Sequence, residues 1–157
     1  MKAKYLNPFI SAGTSVLRQF MPDIEIERGE LEVVDQPSSP RTIAVYIGIS
    51  GDLEGRVIYE MNKVTAVNLA SAMNGEDLPG FNELVRSTIQ ELSNIISGNA
   101  SQELETNADN KSINITPPSM IIGEETEISD SVTESFIQVP LNTNYGEILI
   151  NLAVREN

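Results

Sequence analysis

Ser87, Glu91 and Asn94 fall on one short segment, STIQELSN (87–94), with Gly98 one turn further and Pro117 beyond it, in the spacing Ser-x3-Glu-x2-Asn-x22-Pro. At about 100° of turn per residue, a helix carries the first three side chains on one face and continues the line through Gly98. That face offers a carboxylate beside a carboxamide. A carboxamide both donates and accepts hydrogen bonds, so it can orient a water molecule. A carboxylate can grip a lysine or an arginine. Such a pair suits a chain that completes another protein's active site better than one that houses its own. Each residue also has a plain structural reading. Glu and Asn at i and i+3 are common on a solvated helix face, and Pro117-Pro118 reads as a strand terminator. Gly98 within a helix costs about 1 kcal/mol relative to alanine, which implies a reason such as close approach of another chain.

The elements that must position these residues follow from periodicity. The stripe Val85, Ile89, Leu92, Ile96 and Ala100 predicts an amphipathic helix over 81–104. Ser87, Glu91 and Asn94 lie well round from that stripe and are expected to face solvent, with Leu84 and Ile95 beside them, exposed or available to a partner. Leu6, Phe9, Ile10, Gly13, Val16, Leu17 and Phe20 predict a first helix over 5–21, where Pro8 is tolerated in the first turn. Asn62 caps a helix that runs to about Met73, and Asn74-Gly75 stops it. Residues 24–34 alternate apolar and charged, as one exposed strand or a strand pair, and 35–40 form a loop. Residues 41–61 read as a hairpin turning at Gly51-Asp52. An extended segment, 113–123, is broken at Pro117-Pro118, and two further strands cover 132–140 and 145–155. The expected fold is α/β with α+β character, one domain over residues 1–157, with long helices packed on an antiparallel β-sheet.

Composition removes several chemistries. The 157 residues carry 10 Lys plus Arg against 23 Asp plus Glu, a net charge of −13, which repels nucleic acid and anionic membrane. There is no Cys and no His. Cysteine-based phosphatases, phosphohistidine chemistry, Ser-His-Asp triads, disulfides and zinc sites of imidazole or thiolate are therefore out of reach. No Gly-rich phosphate loop and no EF-hand loop occurs. The opening MKAKYLNPFISAGTSVLRQF is broken by polar residues and reads as an amphipathic helix rather than a leader. No apolar run approaches spanning length, and the expected location is the cytoplasm.

Taken together, Ser87, Glu91, Asn94 and Pro117 resemble the signature of the CheX/CheC family of chemotaxis phosphatases: Ser or Asp, three residues, Glu, two residues, Asn, then Pro after 22. The resemblance extends to the N-terminal helix, the hairpin VYIGISGDLEGRVIYEM, the helix ending SAMNG, and INITPPSMIIG. A single signature resembles the CheX type rather than the two-site CheC type, because Lys4 stands three residues before Asn7 where a second site would need Glu. Ser93 departs from the Gly of many relatives and is expected to reshape the partner contact slightly. The resemblance implies a CheC-like fold, a homodimer joined through strand edges, and a phosphorylated CheY-type response regulator as substrate. It implies that Asn94 positions the attacking water and that Glu91 pairs with the regulator's active-site lysine. Ser87, Gly98 and Pro117 support that geometry. The resemblance also implies that this chain binds no cofactor of its own and that Mg²⁺ is supplied in the regulator. The other reading is a non-enzymatic adaptor of the same fold, like the middle domain of the flagellar switch protein FliM.

Overall fold

The computed structural model of the chain describes residues 3–35, 43–123 and 135–157. A 3-10 turn, Ala3–Leu6, leads into α1 (Asn7–Phe20). Two short strands follow, β1 (Ile26–Arg28) and β2 (Glu32–Val34), then the hairpin of β3 (Ile43–Gly51) and β4 (Leu53–Met61). Helices α2 (Lys63–Asn74) and α3 (Glu83–Thr106) come next. Strands β5 (Ile113–Ile115), β6 (Ser119–Ile122), β7 (Phe136–Thr143) and β8 (Gly146–Glu156) complete the chain. The loop read over 36–40, the hairpin's first residues 41–42 and the strand start at 132–134 lie outside the described residues.

Every described strand pair is antiparallel, and the sheet runs β1-β7-β8-β4-β3-β5, with β2 also on β7 and β6 also on β3. The hairpin pairs Ile43 with Met61 and Ile49 with Gly55, as the β-branched run and the Gly51-Asp52 turn predict. The segment 24–34 is a strand pair rather than one strand. Its interruption faces Pro140 of β7, which has no N–H to give. Gly29 donates its own N–H to the Pro140 carbonyl at 2.8 Å, and a Cβ on Gly29 would collide with that proline ring. The turn between β7 and β8 is tighter than expected, two residues, Asn144 and Tyr145.

Helix limits follow their caps. The Asn62 and Asn82 side chains accept from Thr65 N at 2.8 Å and Val85 N at 3.0 Å, opening α2 and α3. Gly75 ends α2 in the left-handed conformation. Side chains of all three helices and of the sheet share one buried cluster, which includes Phe9, Val16, Ile47, Val57, Ile89, Ile96 and Leu152.

One buried hydrogen bond ties α3 to the sheet directly beneath the candidate site. The Tyr59 hydroxyl of β4 lies 2.8 Å from Ser97 Oγ, and both residues are essentially inaccessible to solvent. Burial pushes the Tyr59 phenol well above its ordinary pKa. Removing either partner is unequal in effect. In Tyr59→Phe, Ser97 can turn its hydroxyl onto the carbonyl one turn back, as Ser93 does onto Ile89 O at 2.8 Å. In Ser97→Ala the phenol keeps its burial and loses its partner, at a cost of about 1–3 kcal/mol. Urea unfolding is expected to show Ser97→Ala as the more destabilised of the two; equal losses would contradict this account.

Candidate functional site

The face of α3 forms as its periodicity requires. Val85, Ile89, Leu92, Ile96 and Ala100 are all buried. Ser87 and Glu91 are exposed, and Asn94 and Gly98 are half-buried. From Ser87 to Gly98 the stripe runs about 16 Å along the helix axis. Among the described residues, neither the Glu91 carboxylate nor the Asn94 carboxamide has a hydrogen-bond or ion-pair partner. Ser87 donates only to Leu84 O, at 3.2 Å, within its own helix. Leu84 is exposed, and Ile95 is half-buried against the core.

Both flanks of the stripe are anchored. On one side Gln90 Nε2 donates to the Pro118 carbonyl at 3.5 Å, and Ser101 Oγ donates to Ile113 O at 3.3 Å. These contacts hold the 113–118 segment against α3, and they bring exposed Pro117 beside the turn of helix that carries Glu91. On the other side Asn74 Nδ2 donates to Thr88 Oγ1 at 3.0 Å, which fixes the end of α2 to α3. Neither Gln90 nor Thr88 stands out by sequence, because both are ordinary polar helix residues. Only the spatial neighbour gives them a role.

Ser93 lies where its residue type misleads. It is buried and faces the core, so its replacement of glycine acts on packing under the helix and not on the outer face. The expected effect on a partner contact therefore does not arise directly. At the N-terminus, Lys4 forms an ion pair with Asp109 at 2.6 Å, and Asn7 stands exposed without a neighbouring Glu.

Among the described residues the stripe is an open helix face, with Ser87 and Glu91 exposed. Two clefts on the described surface lie elsewhere, one between α2 and the β7–β8 turn, the other over β3 and β4 near Gly48. An exposed face whose carboxylate and carboxamide have no partner among the described residues fits a protein partner better than an enclosed small molecule. Among the described residues no group of three His, Cys, Asp or Glu side chains could hold a metal ion. No described helix is long and apolar enough to cross a membrane.

The family model for chemotaxis phosphatase CheX matches residues 43–142, a span that includes the hairpin, α2, all of α3 and Pro117. The chain belongs to the CheX family. It is therefore a phosphatase, a hydrolase by reaction class. The CheY-P phosphatase CheX of Thermotoga maritima is 32% identical over 129 residues, 82% of this chain and 81% of that one. The CheX of the Borrelia burgdorferi CheX–CheY–BeF3–Mg²⁺ complex is 32% identical with a TM-score of 0.82, covering 99% of this chain and all of that one. A CheC-like superfamily protein from Shewanella shares the fold at a TM-score of 0.86 and 20% identity, over 99% of each chain. The CheX fold thus accounts for the helices on an antiparallel sheet that the residue pattern led us to expect.

Proposed function

We propose that this chain dephosphorylates the aspartyl phosphate of a CheY-type response regulator by presenting α3 to the regulator's active site. The observation that carries this reading is the pair Glu91 and Asn94. Among the described residues both are unpartnered, both lie on an open helix face, and both belong to a chain of the CheX family. The substrate class is supported by the CheY-P phosphatase of T. maritima and by the B. burgdorferi complex.

In the proposed mechanism the regulator brings its phosphoryl group, its Mg²⁺ and its active-site lysine. Glu91 pairs with that lysine and sets the register of the two proteins. Asn94 enters the regulator's site and holds a water in line with the phosphorus. The water oxygen bonds to phosphorus as the bond to the aspartyl oxygen breaks. The aspartate leaves as a carboxylate, and both water protons remain on the released phosphate. No covalent intermediate on this chain is needed, which agrees with the absence of Cys and His. Ser87 and Pro117 support the helix face and its flank. The protein acts in the cytoplasm on this reading.

The same reading includes a homodimer joined through strand edges. Among the described edge strands, β2 carries the well-exposed Val33, an apolar side chain available to a second copy. Light scattering after size exclusion is expected to give twice the chain mass; a monomer mass at tens of micromolar would remove the dimer.

The test of function is phosphate release from an excess of phosphorylated CheY-type regulator. Many turnovers per chain support the phosphatase. Tight binding with no faster decay would make the chain an adaptor of the same fold.

A further inference from the structure

Gly98 has no visible reason among the described residues. It lies in the interior of α3, eight residues before the helix ends, with ordinary helical backbone. Beyond its chain neighbours and the backbone of its own helix turns, a Cβ built on it would meet no described atom within 4 Å. Gly55, by contrast, needs its hydrogen because a Cβ there would lie 1.9 Å from Ala153 O, and Gly75 adopts the left-handed conformation that ends α2. A mid-helix glycine without such a cause weakens the helix for no gain within the fold.

Its place supplies the cause. Gly98 continues the line of Glu91 and Asn94, about 6 Å along the axis from Asn94. A protein interface of ordinary size covers about 800 Å² of each partner, a disc of roughly 16 Å radius. Any such footprint centred on Glu91 and Asn94 includes Gly98. Buried Ser97 and Ala100 are turned to the core, so Gly98 itself offers bare backbone on the outer face between Asn94 and exposed Gln102.

We infer that Gly98 is a close-approach point for the response regulator: its missing side chain lets the partner's backbone lie against α3, and this sets how tightly the regulator docks. The inference rests on the proposed phosphatase reading and gives Gly98 a role in affinity, not in the chemical step.

Substitution separates the fold from the interface. Gly98→Ala is expected to raise Tm by about 2–4 °C, because alanine favours the helix and space is open. The same variant should raise KM for the phosphorylated regulator by roughly threefold. Gly98→Leu should raise KM by about tenfold or more, with kcat at saturation within about twofold of wild type. A Gly98→Leu chain with wild-type KM, or with reduced kcat at unchanged KM, overturns the inference. Should the leucine variant not fold, the alanine variant decides alone: raised Tm with raised KM supports the role, and raised Tm with unchanged KM removes it. A wild-type chain that never accelerates decay removes the phosphatase reading itself, a different result from an active wild type matched by its Gly98 variants.

Discussion

Asn94→Ala is expected to abolish nearly all acceleration of regulator dephosphorylation while leaving docking close to intact. Asn94 is half-buried on the outer face and bonds nothing among the described residues. Its loss therefore leaves no orphaned partner and opens no core cavity, and the fold should be indifferent to it. What disappears is the only carboxamide on the stripe beside Glu91, and with it the group proposed to order the attacking water. Fixing a nucleophile in line and stabilising charge in the transition state are each worth about 10²-fold or more. We expect kcat to fall by at least about 10²-fold and KM to move by less than about threefold. That split marks an interaction made in the transition state and not in the ground state. Steady-state phosphate release over a range of regulator concentrations reads both constants. A rise in KM at constant kcat would assign Asn94 to docking instead.

Glu91→Ala should do something different. The proposed contact is a carboxylate–ammonium pair closed off from water when the two proteins meet. Truncating one side leaves the regulator's lysine buried without its counter-ion, at a cost of about 2–5 kcal/mol, or roughly 30-fold or more in affinity. Because Glu91 is also proposed to fix register, misplacing Asn94 by even about 1 Å should lower kcat as well. Both constants are therefore expected to worsen. Raising salt should weaken wild-type docking more than docking of Glu91→Ala, since the screened pair is already gone in the variant. Affinity for a beryllofluoride-activated regulator at two ionic strengths checks this. Equal salt sensitivity in the two chains would contradict the ion pair.

Much of this fold is local in origin, and those parts are legible from residues alone. The helix of the site is a strict apolar stripe between Asn82 and Thr106, and its outer face follows from about 100° per residue. The hairpin and the Asn62 cap are equally local. Non-local pairing is not legible in this way. Nothing in β7 announces that it lies between β1 or β2 on one side and β8 on the other, because strand partners leave no periodic mark. The break between β1 and β2 needs Pro140, more than a hundred residues away, to explain it. The site divides likewise. Glu91 and Asn94 share a face by spacing, whereas the 22 residues to Pro117 become a neighbourhood only because β5 runs back along α3. Ser93 and Ser97 mislead because their type reads as surface, yet a hydroxyl that returns to the helix backbone or meets a tyrosine is well placed in a core.

The most direct test of the central claim is a single-turnover decay of phosphorylated CheY-type regulator under saturating phosphatase, with wild type and Asn94→Ala side by side. Saturation removes affinity, so the rate reports only what happens in the complex. The account predicts fast decay with wild type and a rate near the regulator's own with Asn94→Ala. Decay equally fast in both would contradict it, because the water would then be held by something other than Asn94.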